Sequence, residues 1–196
     1  MRVGVVGVQG DVSEHVEAVR AAMRAGGFGG DVLVVRRRED LAAVHALTLP
    51  GGESTTIGKL LDRSGLRADI VRRAGEGMPV LGTCAGCILL AKEGDGQVDR
   101  TDTPRLGLMD MAVDRNAFGR QRESFEADVS VEGLDRPFHG VFIRAPVITR
   151  TWGTCAPVAR LEGVAVMARQ GHLWGSCFHP ELSGDLRIHV AFLGQV

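Results

Sequence analysis

No apolar run in the sequence approaches the roughly 18–20 residues needed to cross a bilayer, so a membrane role is not expected. The short apolar stretch in MRVGVVGVQG is followed by no cleavage-site pattern and reads as a first β-strand, not a signal peptide. No charge sign dominates. Twenty-three basic residues face 24 acidic ones, for a net charge of −1 at pH 7. That balance leaves no electrostatic footprint for nucleic acid. The one basic run, Arg36-Arg37-Arg38, reads as a solvated strand end. Cysteine is sparse, and Cys84, Cys87, Cys155 and Cys177 do not form a disulfide framework in 196 residues. A cytoplasmic, reducing location is the expectation. No cysteine–histidine set has zinc-ligand spacing, so neither a metal nor a cofactor is expected. Internal repeats, low-complexity tracts and linkers are also missing. What is present is ordinary for a globular chain: 44% hydrophobic and 24% charged residues. The length predicts one compact domain over residues 1–196.

The first half alternates short apolar runs with helical patterns. Residues 3–8 read as a strand, and Val12, Val16, Val19 and Met23 recur at helical spacing until residues 26–30 stop them. Residues 32–35 read as a second, buried strand and residues 44–49 as a third. Ser54 or Thr55 is expected to cap a helix running through Ile57, Leu60 and Leu61. A further helix over residues 67–75 leads to a fourth strand at 79–82, then a helix over 85–92. This alternation predicts a parallel sheet covered on both faces. Residues 93–105 read as a surface loop. Residues 125–131, 141–143, 164–169 and 173–178 read as strands extending the main sheet in mixed or antiparallel fashion. A short last helix is expected from about Gly184.

One turn carries candidate chemistry. Gly82-Thr83-Cys84-Ala85-Gly86 passes from strand to helix with glycines two residues either side of the cysteine. This matches the spacing of a nucleophile elbow, in which a tight turn lifts the nucleophile above the sheet edge. Side chains beside it would clash, hence glycine. The helix start that follows favours thiolate. Taken alone, Cys84 reads almost as well as a small buried hydrophobe. Cys84-Ala85-Gly86-Cys87 is also a C-x-x-C, which suggests redox chemistry. That reading ranks lower because it leaves other groups unused.

Those groups are His179-Pro180-Glu181 and the segment around Gly51-Gly52. His179 follows a predicted strand, where open α/β sheets place their sites. Pro180 favours an extended His179, and in an extended segment Glu181 shares its face and can orient the ring. His15, His45, His139, His172 and His189 have no comparable setting and read as structural or surface residues. Acyl transfer also needs N–H donors for an oxyanion. Gly51 and Gly52, between a strand and a helix, can supply them, together with the amide of Ala85.

Gly82–Gly86 plus His179-Pro180-Glu181 resembles the class I, or triad-type, glutamine amidotransferases. Further blocks narrow the resemblance to the glutaminase subunits of pyridoxal 5′-phosphate synthase. They are Gln9-Gly10 with Glu14-His15, residues 49–56, Arg115-Asn116 with Phe118-Gly119-Arg120-Gln121, Ser124-Phe125-Glu126-Ala127, Phe142-Ile143-Arg144-Ala145-Pro146 and residues 178–182. They run in order through nearly the whole chain. The resemblance implies a flavodoxin-like three-layer α/β/α domain with a mixed central sheet. It implies hydrolysis of L-glutamine to L-glutamate and ammonia through a thioester, with Cys84, His179 and Glu181 as the triad. Gly51, Gly52, Glu53, Arg115, Ile143 and Arg144 would line the glutamine site. Arginine suits the substrate's α-carboxylate, which it grips with two parallel hydrogen bonds; Arg115 and Arg144 both remain open for that role. The ammonia would pass to a separate synthase subunit, PdxS, for vitamin B6 biosynthesis in a hetero-oligomeric complex, and that subunit would switch the glutaminase on. Cys87 and the glycine-rich residues 26–30 depart from the family pattern. An amidotransferase serving another acceptor, or a non-catalytic subunit with this fold, are the competing readings; an intact triad argues against the second.

Overall fold

The computed structural model describes residues 1–95, 102–115 and 124–196. Five strands form a parallel run in the order β2-β1-β3-β4-β12. They are β1 (Arg2–Val6), β2 (Asp31–Val35), β3 (Ala46–Leu49), β4 (Val80–Thr83) and β12 (Leu173–Ser176). This is the flavodoxin-like order, with its switch point between β1 and β3. Every residue of β3, β4 and β12 is buried. That explains their continuous apolar character, since such strands are covered on both faces.

Two groups of helices provide the cover. Helix α1 (Val12–Ala25) packs on α6 (Arg187–Leu193) and on a 3₁₀ turn, Pro180–Leu182. Helices α2 (Arg38–Ala42), α3 (Ser54–Arg63), α4 (Leu66–Gly75) and α5 (Ala85–Leu90) pack among themselves. Of the stripe Val12, Val16, Val19 and Met23, the last three are buried and Val12, at the start of α1, is partly so. Each fully buried Val, Leu or Ile contributes about 1.5–3 kcal/mol of transfer free energy. Among the described residues, no helix is long and apolar enough to cross a membrane.

The sheet continues past β12 through β11 (Val164–Gln170), β9 (Val147–Thr151), β6 (Met109–Asp114) and β5 (Ala91–Gly94), while β10 (Ala156–Leu161) pairs with β11. The β12–β11, β11–β9, β9–β6 and β10–β11 pairs are antiparallel, and β5–β6 is parallel, so the sheet is mixed.

Several expectations are corrected. The strand at 32–35 is not buried as a whole: β2 is an edge strand, and of its residues Val35 is the buried one. The helix after Cys84 ends at Leu90, because Ala91 turns extended (φ −67°, ψ 142°) to start β5. Residues 93–94 therefore belong to a strand, not a loop. Strands β7 (Ser124–Val129) and β8 (Phe138–Ile143) do not extend the main sheet; they form a two-stranded sheet of their own. Strands β6, β9 and β10 are additions to the sequence reading. The β10 pattern is interrupted by Pro157, which an edge strand tolerates, and its register shifts there. Asn116 and residues 118–121 lie outside the described residues, as do residues 96–101 of the expected loop.

Candidate active site

Four parallel strands deliver their carboxyl ends to one place, at the switch point where such sheets bind ligands. Residues 9–11 follow β1, residues 50–53 follow β3, Cys84 follows β4 and residues 177–181 follow β12. Between them lies a cavity of about 450 Å³. A larger cavity of about 700 Å³, lined by His45, Pro79 and His172, lies at the amino ends of the same strands and holds none of the candidate residues.

Cys84 occupies a strained backbone conformation, φ 48° and ψ −102°. Such strain costs about 1–3 kcal/mol and persists only where the surroundings impose it. Here the Cys84 N–H donates to Ser176 O at 2.8 Å, extending the β4–β12 ladder into the turn. The flanking glycines are obligatory. A Cβ on Gly82 would lie 2.5 Å from Gly86 O, and one on Gly86 would lie 2.3 Å from Leu49 O. Cys84 is 8% exposed and lines the cavity, and its Sγ lies 3.9 Å from Ile143 O. Cys87 is fully buried and does not line the cavity. Its sulfur would meet a Cβ on Gly175 at 3.1 Å, so it faces the core. A thiol–disulfide pair at the cavity is thus not what this turn presents.

His179 also lines the cavity, held from several sides. Its backbone N–H donates to Val141 O at 2.8 Å, and the preceding Phe178 packs against Phe138 and Phe142. A Cβ on Gly51 would lie 2.5 Å from the ring's Cε1, so only glycine fits beneath it. The ring's Nδ1 meets Glu181 Oε1 at 2.5 Å. The Glu181 side chain is wholly buried. The pair meets, but not through the extended segment that the sequence suggests. His179 (φ −102°, ψ 85°) leads into the 3₁₀ turn, which folds Glu181 back under the ring.

Burial is the largest single influence on His179 and favours the neutral ring. Hydrogen bonds to Asp11, Cys84 and Glu181 together outweigh it and push the pKa up from 6.5 to about 12. The imidazole therefore carries its proton throughout the neutral range. Because the folded value is raised, the stabilisation is complete below the ordinary value of 6.5 and is lost as pH climbs toward about 12.

The other candidate residues sort around these two. Gly52, Glu53, Ala85, Arg115, Ile143 and Arg144 line the cavity with Cys84 and His179. Gly51 does not; it lies against the His179 ring instead. Glu53, not Ser54 or Thr55, caps α3, accepting from Thr55 N at 3.1 Å and Thr56 N at 2.7 Å. Burial would raise its pKa, but these bonds, with that from the Thr56 hydroxyl, lower it on balance. Arg115 is pinned through its Nη2, which donates to the hydroxyls of Ser54, Thr55 and Thr103. Arg144 is exposed and has a positive φ of 43° at the end of β8.

Two residues at the site escaped the sequence reading. Asp11, which lines the cavity, has Oδ2 3.2 Å from His179 Nδ1. His15 is fully buried behind it, with Nε2 3.0 Å from Thr83 Oγ1 and 3.5 Å from Glu181 Oε1. A positional signal for Asp11 did exist, since it follows Gln9-Gly10 at the carboxyl end of the first strand. Asp11, His179 and Glu181 are also the described residues whose ligand atoms approach closely enough to hold a cation.

The model of the SNO glutamine amidotransferase family matches residues 5–196. The chain is 49% identical over 196 residues to the pyridoxal 5′-phosphate synthase subunit PdxT of Methanosarcina mazei, covering 100% of this chain and 98% of that one. It is 51% identical over 193 residues to PdxT of Archaeoglobus fulgidus, covering 98% and 97%. A solved glutamine amidotransferase superposes with a TM-score of 0.89 at 48% identity, covering 98% and 97% of the two chains. The chain belongs to the SNO glutamine amidotransferase family.

Proposed function

We propose that the chain is the single-domain glutaminase subunit of a pyridoxal 5′-phosphate synthase. It hydrolyses L-glutamine to L-glutamate and ammonia and hands the ammonia to a PdxS synthase subunit. One observation carries this reading: an elbow cysteine and a histidine backed by a buried glutamate face the same cavity.

The chemistry follows from the proton on His179. Cys84 acts as thiolate beside the imidazolium, and Sγ attacks the carbonyl carbon of the glutamine side-chain amide. The carbonyl oxygen becomes an oxyanion, for which the amides of Ala85 and the Gly51-Gly52 segment are the proposed donors. His179 then gives its proton to the leaving nitrogen. The C–N bond breaks, ammonia departs and a thioester to Cys84 remains. Now neutral, His179 takes a proton from water, and the hydroxide attacks the thioester. The C–S bond breaks, glutamate leaves and the ion pair is restored. Glu181 holds the ring throughout. No step calls for a cofactor. A nucleophilic thiol needs reducing surroundings, which supports a cytoplasmic location.

At the other end of the substrate, Arg115 is the arginine we assign to the α-carboxylate. Its Nη2 is already anchored by hydroxyls, so its remaining donors are pre-oriented at little entropic cost. The Glu53 carboxylate suits the α-ammonium group. Arg115→Ala is expected to raise KM for glutamine about 10–100-fold, the worth of a charged hydrogen bond, with a smaller change in kcat. Arg144→Ala should have the lesser effect on KM; the reverse order would transfer the assignment to Arg144.

The decisive assay measures ammonia from glutamine with and without the synthase subunit. Turnover is expected in the complex and little in the isolated chain. Absence of glutamine hydrolysis in both would refute the reading, and equal turnover in both would remove the switching role of the partner.

A further inference from the structure

The loop between β1 and α1 carries a carboxylate that the mechanism above leaves unused. Asp11 occupies the N-cap of α1, where aspartate ordinarily accepts an amide of the first helical turn. Its side chain makes no such bond. It turns instead toward His179, placing Oδ2 3.2 Å from the same Nδ1 that Glu181 Oε1 meets at 2.5 Å. Its other oxygen, Oδ1, is buried and has no hydrogen-bond partner among the described residues. An anion is tolerated in such a place when an opposite charge is beside it. Since Nδ1 has one hydrogen, it donates to Glu181 and meets Asp11 as a second negative charge.

Behind both carboxylates stands His15. Its Nε2 lies 3.5 Å from Glu181 Oε1 and 3.7 Å from Asp11 Oδ1. Ionised carboxylates only accept, so Nε2 carries the hydrogen and faces both. The unpartnered state of His15 Nδ1 agrees with that tautomer.

We propose that Asp11 is a positioning residue for glutamine hydrolysis: a second carboxylate that, with Glu181, holds His179 and keeps the proton on its ring, while His15 separates the two carboxylates. The proposal rests on the glutaminase reading of the site. The groups facing His179 are Cys84 from the β4–α5 turn, Glu181 from the 3₁₀ turn, Asp11 from the start of α1 and His15 behind them. Glu53, Arg115 and Arg144 line the same cavity. Burial would raise the Asp11 carboxyl, but its contact with the His179 imidazolium holds it well below the usual carboxylate range. The mechanistic gain falls on the second half of the reaction. After His179 has protonated the leaving nitrogen, it must take a proton back from water, and a second adjacent anion favours that recovery.

The test is a ¹⁵N NMR titration of the His179 ring in the full chain, from about pH 6 up to the alkaline limit of the folded protein. Wild type, Asp11→Asn and Glu181→Gln are compared. An opposite charge at this distance is worth about 1–3 pH units. Asp11→Asn should therefore lower the midpoint by about one unit or more, as Glu181→Gln does. Turnover with the synthase subunit, counted per folded chain, should fall about tenfold in kcat at unchanged KM; a mere loss of fold would lower activity without moving the His179 midpoint of the chains that remain folded. A ring that stays protonated in Asp11→Asn to the same pH as in wild type overturns the proposal. If the variant does not fold, ¹³C titration of the wild-type Asp11 carboxyl decides: a midpoint in the ordinary carboxylate range overturns it, and one far below supports it. The titrations need no substrate. A chain that fails to hydrolyse glutamine refutes the glutaminase reading without touching them, and an unmoved midpoint in an active enzyme refutes only the role of Asp11.

Discussion

Cys84→Ala is expected to release no ammonia from glutamine above background, a loss of about 10⁴-fold or more in turnover. The reason lies in what else the cavity offers. Among the described lining residues, Ser54 is the other one with a hydroxyl or thiol, and its hydroxyl accepts from Arg115. The remaining cysteines, Cys87, Cys155 and Cys177, are buried. Cys155 is pushed up to about 11 by burial, then by the charges of Asp110 and Cys87, and Cys177 is raised by burial and by Cys87. Neither is a thiolate at neutral pH. The variant should still fold, because alanine at this position replaces one small side chain by another and leaves the Ser176 ladder bond intact. Ammonia release is measured in the complex with the synthase subunit, and folding is checked by thermal unfolding. A folded Cys84→Ala with wild-type turnover would exclude the covalent mechanism.

Cys84 was legible because its demands are local. Gly82 and Gly86 are required within five residues of chain, and the clashes that enforce them involve the turn itself and the end of β3. The inner strands β3, β4 and β12 of the parallel run were legible for a similar reason, since they are buried throughout and begin as apolar segments. Where a strand lies at an edge, the signal failed in either direction. The apolar residues of β2 suggested full burial, yet it has a neighbour on one side only. The Pro157 of β10 hid a real strand for the same reason. Cap identity also escaped, because Glu53, Ser54 and Thr55 are adjacent and the choice depends on how the Glu53 side chain loops back.

Asp11 and His15 escaped for a deeper reason. Asp11 meets His179 across 168 positions, and His15 meets Thr83 across 68. Locally, an aspartate before a helix is a cap and a histidine on its apolar stripe is core. Only the crossing of β1, β4 and β12 carboxyl ends gives the two residues another meaning. The His179–Glu181 pair lies between these cases. Its closeness was legible from two residues of separation, but the path was not, because a 3₁₀ turn and not an extended segment brings the carboxylate under the ring.

His179→Ala is the companion experiment to Cys84→Ala and is expected to cost about 10³–10⁴-fold in turnover. Two losses combine. The leaving nitrogen receives no proton, so the tetrahedral intermediate returns to reactants more readily than it expels an amide anion. The thioester, if formed, meets no base to activate water. The variant also strands Glu181, whose side chain is fully buried and whose Oε2 already lacks a partner. Removing the cation from beside a buried carboxylate costs about 3–5 kcal/mol, so lower thermal stability should accompany the lost activity. Cys84 offers an independent readout. In the proposed mechanism Cys84 reacts as the thiolate of an ion pair with His179, so alkylation of Cys84 by iodoacetamide should proceed at neutral pH without the partner subunit. In His179→Ala it should slow sharply at the same pH and recover as pH rises into the range of an ordinary thiol. Equal alkylation rates at neutral pH in the two proteins would show that His179 does not ionise Cys84, and the proton inventory proposed for the reaction would then fail at its first step.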